Sequence, residues 1–427
     1  MKKEIFIVLD IGTSNIKCAC LTSTNNILTE KQEKFPMIQS GNSYEIDVIL
    51  FFDIVKDLIL QCLSEKAVQN RNVKALLITS QANTFVPVTN DFEPLRNGIV
   101  WLDERAKDEA DYLKAQLPGY QKYSGFGQPL SGLFASKLLW LKKNEPAVFE
   151  SAKFFPLINE YLVYQLTHKF YTDTTSFGMS GMYDFVQKDI NSELLQILEL
   201  SKDNFPQIEN AAKTSALISE EISKEWKIPY RFPVYLCGND QCASASGAGL
   251  KNSGDITINF GSALVLFSIT KNMATNLELD QIAGKYPISS DYFLLSYEPD
   301  FGIIIRSLKE KLFEEGSYNQ LFQTYVDYPE MEERTPDFLV NDLEFNTIKE
   351  ANQFCASIIK YYVNQLKKHI ASISQKVGIN TIFLSGAITK STVLLQIIKK
   401  EVKQPIIINN QANAGLVGAL NIYLSKI

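Results

Sequence analysis

Histidine is scarce: the 427 residues hold two, His168 and His369. Neither lies beside a nucleophile or a metal-ligand pattern, which argues against a Ser-His-Asp hydrolase and a His-bound zinc centre. His168 closes a helix-like segment, where capping is its expected role. Acid–base chemistry would then fall to carboxylates. The six cysteines (18, 20, 62, 237, 242, 355) include no Cys-x-x-Cys pair, and they read as reduced core thiols of a cytosolic protein. No apolar run approaches the roughly 18 residues of a membrane span. The run Ile5–Leu9 behind Lys2-Lys3 stops at Asp10, too short for a secretory signal. A cytoplasmic location is the expectation. Charge is not concentrated either: 42 Lys and Arg face 48 Asp and Glu, a net charge of −6 without a basic block or acidic tail. Nucleic acid and anionic membrane are therefore poor partners, and a small molecule in a cleft fits better. A P-loop is missing as well, since Gly284-Lys285 is followed by Tyr286. Gly125-Phe126-Gly127 and Gly247-Ala248-Gly249 lack the third glycine of a dinucleotide loop and read as packing or turn glycines.

What remains is an ordinary globular composition, 45% hydrophobic and 21% charged, in a chain too long for one core of roughly 250–300 residues. Residues 4–10 and 16–22 read as strands joined by Gly12-Thr13-Ser14-Asn15. The pattern recurs as 255–260, Gly261-Ser262 and 263–269, an echo that suggests a duplicated domain. Between and after the hairpins, apolar spacing predicts helices over 48–68, 104–116, 133–143, 158–166, 346–376, 391–402 and 412–425. Strands are expected over 73–79, 84–88, 234–236, 381–384 and 405–408, with Pro146 closing the helix before it. Mixed elements in this order imply an α/β class. The division is expected near residue 235, giving domains 1–235 and 236–427.

Three segments carry groups suited to chemistry. In Asp10-Ile11-Gly12-Thr13-Ser14-Asn15-Ile16-Lys17, a small-residue turn lets N–H groups and hydroxyls approach phosphate oxygens. Asp10 is placed to hold Mg²⁺, directly or through water; a plain hairpin with a solvated Asp10 is the alternative. Ser80-Gln81-Ala82-Asn83-Thr84 offers amides to sugar hydroxyls. Trp101 in Trp101-Leu102-Asp103-Glu104-Arg105 offers an apolar face, with Asp103 and Arg105 as charged partners. The alternative there is Asp103 as a helix N-cap. Gly238-Asn239-Asp240-Gln241 enters the small-residue run 243–249. A carboxylate at that mouth can act as general base, and N-capping is again the alternative.

Taken in order, these segments resemble the FGGY carbohydrate kinases, the family of glycerol kinase, xylulokinase and gluconokinase. The D-x-G-T-[ST] turn is Asp10–Ser14, the Gln-containing loop Gln81-Ala82-Asn83, and W-x-D-x-R is Trp101–Arg105. Y-L-x-x-x-L-T is matched at Tyr161–Thr167, and G-x-D before G-x-G at Gly238–Asp240 and Gly247–Gly249. A second phosphate turn resembles Gly261-Ser262-Ala263, an adenosine loop Ser385-Gly386-Ala387, and a final Gly-Ala helix Gly418-Ala419. The resemblance implies two related actin-like (ribonuclease H-like) α/β domains with nucleotide in the cleft between them. It also implies transfer of the γ-phosphoryl group from ATP with Mg²⁺ to a hydroxyl of a small sugar, a ketopentose such as xylulose or ribulose. Asp240 would be the base and Asp10 would place Mg²⁺. Gly12, Thr13, Ser14, Lys17, Gly261, Ser262, Gly386 and Ala387 would meet ATP. Gln81, Asn83, Trp101, Asp103, Arg105 and Gln241 would meet the sugar. The sequence departs from the family at Ser385-Gly386-Ala387, usually three glycines, and at Ala263, usually a hydroxyl residue. Little between about 271 and 380 matches, and the second domain reads as shortened. Gln-Ala-Asn is neither the Gln-Met-His of xylulokinases nor the Gln-Arg-Glu of glycerol kinases. A gluconate or glycerol kinase, and a non-catalytic nucleotide- or sugar-binding regulator, remain alternatives, and a homodimer is left open.

Overall fold

A computed structural model describes residues 3–313, 317–337, 340, 343–409 and 413–427. Two six-stranded sheets organise it. The first uses β1 (Glu4–Ile11), β2 (Asn15–Leu21), β3 (Ile27–Lys34), β4 (Asn72–Ser80), β5 (Ser215–Leu217) and β6 (Pro233–Asn239), in the order β5-β6-β4-β1-β2-β3. The second uses β7 (Asp255–Phe260), β8 (Leu264–Thr270), β9 (Gln281–Lys285), β10 (Tyr292–Glu298), β11 (Thr381–Ser385) and β12 (Ile406–Ile408), in the order β9-β10-β8-β7-β11-β12. In both, a hairpin opens the unit and its first strand then pairs in parallel with a later one, β1 with β4 and β7 with β11. The echoed hairpin in the sequence is therefore the start of two equivalent sheets.

Alternation in β1 sorts its side chains between two layers. Ile5, Ile7, Leu9 and Ile11 enter the core shared with α1 (Val48–Ser64). Phe6 and Val8 face the other way, toward the last helix, and Asp10 continues that face. On that second side lie α2 (Asp240–Gly247) and the C-terminal helix α3 (Ala414–Leu424), which packs across β1, β4 and β6. The chain thus returns from the second sheet to close the first. The two helices touch through small residues: a Cβ on Gly247 would collide with the Ala414 backbone, and one on Gly418 with the Ala243 carbonyl. The small-residue run after Asp240 is there for this contact.

Several expectations need correction. Residues 84–88 form isolated bridges, Phe85 with Ile99 and Leu157, Val88 with Pro94 and Phe154, rather than a strand. The helix expected from 104 starts at Lys107, and Pro146 opens the helix Pro146–Ser151, as suits a proline at a first turn. The boundary at 235 falls inside β6, because the strand runs on to Asn239 beside Ser80. His168 does end its helix, at a C-cap with φ 55°. Gly125 and Phe126 tie the first half to β9, with Ala283 N donating to Gly125 O at 2.8 Å. All six cysteines are free and buried. Among the described residues, no helix is long and apolar enough to cross a membrane.

Because Gly418 has no room for a side chain, Gly418→Val should cost about 1–3 kcal/mol through overpacking. Thermal unfolding checks this, with a lowered midpoint expected.

Candidate active site

The C-terminal ends of β1, β4 and β6 lie side by side: Asp10 pairs with Thr79, and Ser80 with both Ile11 and Asn239. These ends bring together Asp10, Gln81 and Asp240, from three distant parts of the sequence. Gly238 makes the last step possible. Its φ of +84° and its approach to Thr175 Oγ1 exclude a Cβ, and its carbonyl accepts from Thr79 Oγ1 at 2.9 Å. Asn239 then caps α2, its Oδ1 accepting from Cys242 N at 2.9 Å, while its own N donates to Thr175 Oγ1 at 3.1 Å. Capping therefore belongs to Asn239, and Asp240 stands one position inside the helix, released from that role. Buried Asp173 fixes Thr175 in turn, accepting from both its N and its Oγ1.

The electrostatics at this point are costly. Burial pushes the Asp240 carboxyl up to about 7, with the charge of Asp10 adding to it. Burial likewise raises Asp10 to about 6, partly offset by Lys17, its cross-strand neighbour in the hairpin. The Asp10 carboxylate also rests against Gly415 at the start of α3, where a Cβ would strike it. Two neighbouring carboxylates, both biased toward their neutral forms, are a fitting place for Mg²⁺. That ion is typically held by one or two carboxylates, waters and substrate phosphates. Among the described residues, no group of three or more His, Cys, Asp or Glu forms a dedicated cage. In that arrangement Asp10 would hold the ion, directly or through water, and the ion would neutralise phosphate charge.

The remaining predicted residues divide. Gly12 N donates to Asn15 O at 3.0 Å, closing the first turn. Ser14 at its tip is exposed. Lys17 Nζ donates to Asn413 Oδ1 at 3.2 Å, just before α3. Thr13 Oγ1 accepts from the Trp101 indole N–H at 2.9 Å and donates to Gln81 Oε1 at 3.3 Å, so its hydroxyl joins the Gln81 and Trp101 segments. Trp101 is 40% exposed, offering a ring face, and Gln241 is half-buried beside Asp240. At the second sheet, β7 and β11 end together with Asn259 opposite Ser385. Gly261-Ser262 follows the end of β7 and Gly386-Ala387 the end of β11. Gly302 N donates to Ser262 O at 2.8 Å, and Gly386, at φ +104°, lies against the Phe260 carbonyl.

Asn83, Asp103 and Arg105 are placed otherwise than expected. Asn83 donates to Met179 O and accepts from Phe134 N, spending its amide inside the fold. Asp103 is 1% exposed and accepts from Tyr44 N and Arg105 N. Arg105 bonds Asp103 and Glu45 and lies 4.5 Å over the Trp140 ring. These three build the wall behind Trp101, because polar groups buried in a loop must be paired within it. Nor does Asp103 cap a helix; the helix there begins behind Ala106. A cavity of about 450 Å³ lined by Val68, Val73, Trp226 and Phe232 lies by the start of β4, away from these groups.

Lys137 escaped the sequence reading. It is 1% exposed, and its Nζ donates to Asn83 O at 2.6 Å and Val100 O at 3.0 Å, fastening the Gln81 loop to the Trp101 segment. Burial lowers its pKa to about 7. A signal was present: Phe134, Lys137, Leu138 and Leu141 share one helical face, and a lysine on an apolar face has a buried task.

Comparison with known proteins places the chain in a family. Residues 5–247, more than half of the chain, match the FGGY family of carbohydrate kinases, N-terminal domain. The chain belongs to the FGGY family of carbohydrate kinases. The xylulose kinase of Escherichia coli K12 is 25% identical over 275 residues, 64% of this chain but 56% of that protein's length. The chain's match therefore spans just over half of that relative. Solved structures show the fold across nearly the whole chain. The gluconate kinase of Lactobacillus acidophilus superposes with a TM-score of 0.85 at 21% identity, covering 98% of this chain and 88% of that one. The ligand-bound xylulose kinase of the same organism gives 0.85 at 21%, covering 98% and 89%. The expected fold class is thus shown, and it includes the described residues between 271 and 380, where no motif was found.

Linkage gives a test of the carboxylate pair. Free aspartate titrates near 3.8, and the folded values are about 6 and about 7. Between these limits the folded chain keeps protons that the unfolded chain has released, so stability falls as pH rises through the window. Asp240→Asn should therefore raise the unfolding temperature of the ligand-free protein more at about pH 8 than at about pH 4.5. A gain independent of pH would contradict the assigned pair.

Proposed function

We propose that this protein transfers the γ-phosphoryl group of MgATP to a hydroxyl of a small sugar, with a ketopentose such as xylulose or ribulose as acceptor. The observation that carries the reading is Asp240, raised to about 7 beside Asp10 at the joined ends of three strands. A base poised near neutrality can accept the acceptor's proton as the phosphoryl group leaves ATP. Asp10 would hold the metal, and the metal would offset charge on the transferring group, since such chemistry is mostly positioning and electrostatic stabilisation. Gly12, Ser14 and Lys17 would face the phosphates from the first sheet, and Gly261, Ser262, Gly386 and Ala387 the nucleotide from the second. Gln81, Trp101 and Gln241 would meet the sugar. Asn83, Asp103, Arg105 and Lys137 would hold that surface in place. The two domains would divide after Asn239, where β6 ends.

The ketopentose is favoured by the matched xylulose kinase, and gluconate is the second reading, from the matched gluconate kinase structure. ADP release measured over ketoses, polyols and sugar acids separates them. Asp240→Asn should lower kcat by about 10²–10⁴ on the true acceptor, the range of a lost general base. Nucleotide binding without turnover on any acceptor would favour a regulator instead. Lys137→Met should raise the acceptor KM with little change in the ATP KM, read from the same assay.

A further inference from the structure

Gln81 poses a physical question. It is 3% exposed, yet its Nε2 is buried without a hydrogen-bond partner. An orphaned buried donor costs stability, and such a group needs an explanation. Its backbone is fixed, since Gln81 N donates to Ile11 O at 2.8 Å, so only the side chain can turn.

The direction of that amide follows from a short relay. An indole nitrogen can only donate, and that of Trp101 donates to Thr13 Oγ1 at 2.9 Å. With its oxygen taking that proton, the Thr13 hydroxyl sends its own hydrogen to Gln81 Oε1 at 3.3 Å. The amide oxygen is thereby turned toward the Gly12–Asn15 turn, and the NH₂ is left as the unspent end. The three residues come from the first turn, the end of β4 and the Trp101 segment, so no one stretch of sequence sets the orientation.

We infer that Thr13 is a positioning residue for the acceptor: its hydroxyl orients the Gln81 amide so that Nε2 donates to an oxygen of the bound sugar. The inference rests on the reading of Gln81 and Trp101 as the acceptor surface. It deepens that reading by naming what the site recognises, an acceptor oxygen of hydroxyl, carbonyl or carboxylate type. It also moves the Thr13 hydroxyl from the phosphate side to the sugar side.

The chain has three tryptophans, so the full-length protein labelled with ¹⁵N-tryptophan should give three indole signals, and Trp101→Phe assigns one of them. Thr13→Val should move the Trp101 indole proton upfield, and Thr13→Ser should restore it. In the kinase assay, Thr13→Val should raise the KM for the preferred acceptor about tenfold, the size of one neutral hydrogen bond, while the KM for ATP changes by less than about twofold. Gln81→Leu should raise the acceptor KM similarly without moving the indole signal, and it serves if Thr13→Val does not fold. An unmoved indole signal in Thr13→Val would overturn the relay. A raised KM for ATP with an unchanged acceptor KM would return Thr13 to the phosphates and overturn its assignment. If the wild type binds ATP but phosphorylates none of the acceptors, the kinase reading fails, and the indole signal still decides the relay.

Discussion

The contact between α2 and α3 is the constraint on which the site depends. Helix axes can approach this closely only where side chains are missing, and the residues missing them are Gly247, Gly415 and Gly418. Gly247 and Gly418 let the C-terminal helix lie directly on the helix that begins at Asp240. Gly415 lets the start of that helix come down onto the Asp10 carboxylate. A larger residue at any of these positions would lift α3 from the first sheet and open the ground behind both aspartates. The second half of the chain thus finishes the first: the last eleven residues of regular structure cover β1, β4 and β6 of the first sheet.

That closure has an electrostatic consequence. Asp10 and Asp240 are half-buried, their carboxyls pushed toward the neutral form, with the charge of Asp10 adding to the shift at Asp240 and Lys17 offsetting part of it at Asp10. A fold selected for stability alone would not place them so. The strain lies where a cation and a phosphate would relieve it, which is the pattern expected of a group tuned for proton transfer near neutral pH. The neighbouring scaffold is correspondingly complete. Asp173, Thr175 and Asn239 satisfy one another behind Asp240, and Asp103, Arg105 and Glu45 do so behind Trp101. Rigid, paired groups surround a pair left unbalanced.

Much of this was legible in the sequence, and the limits have physical reasons. The hairpins, the parallel strands and the two aspartates are marked by local chemistry: glycine turns, alternating apolar residues, and a carboxylate after Gly-Asn. Asn83, Asp103 and Arg105 prove to have partners inside the fold, which the sequence does not show, because a polar residue near a motif looks the same whether it faces a ligand or braces a loop. Only burial separates the two, and burial is set by distant partners such as Phe134 and Tyr44. Residues 271–380 carried no motif because β9, β10 and the helix Ile348–Lys376 are specified by packing, which many apolar sequences satisfy. Even buried His369 belongs to that framework, bonded to Ser296 at 2.8 Å in the second half.

The departures from the family pattern can be judged by asking which atom each position must spare. In Ser385-Gly386-Ala387, the middle residue has φ +104° and sits against the Phe260 carbonyl, so glycine is obligatory there. Ser385 ends a strand, and its hydroxyl donates to Asn259 Oδ1 at 3.2 Å, a use that glycine could not supply. Ala387 is exposed and opens a helical turn, where a methyl group meets no obstacle. Ala263 contributes to its turn through its carbonyl, which accepts from Gly261 N at 3.1 Å, a bond indifferent to the side chain. The substitutions therefore fall where the backbone tolerates them, and the one glycine that the backbone requires is kept.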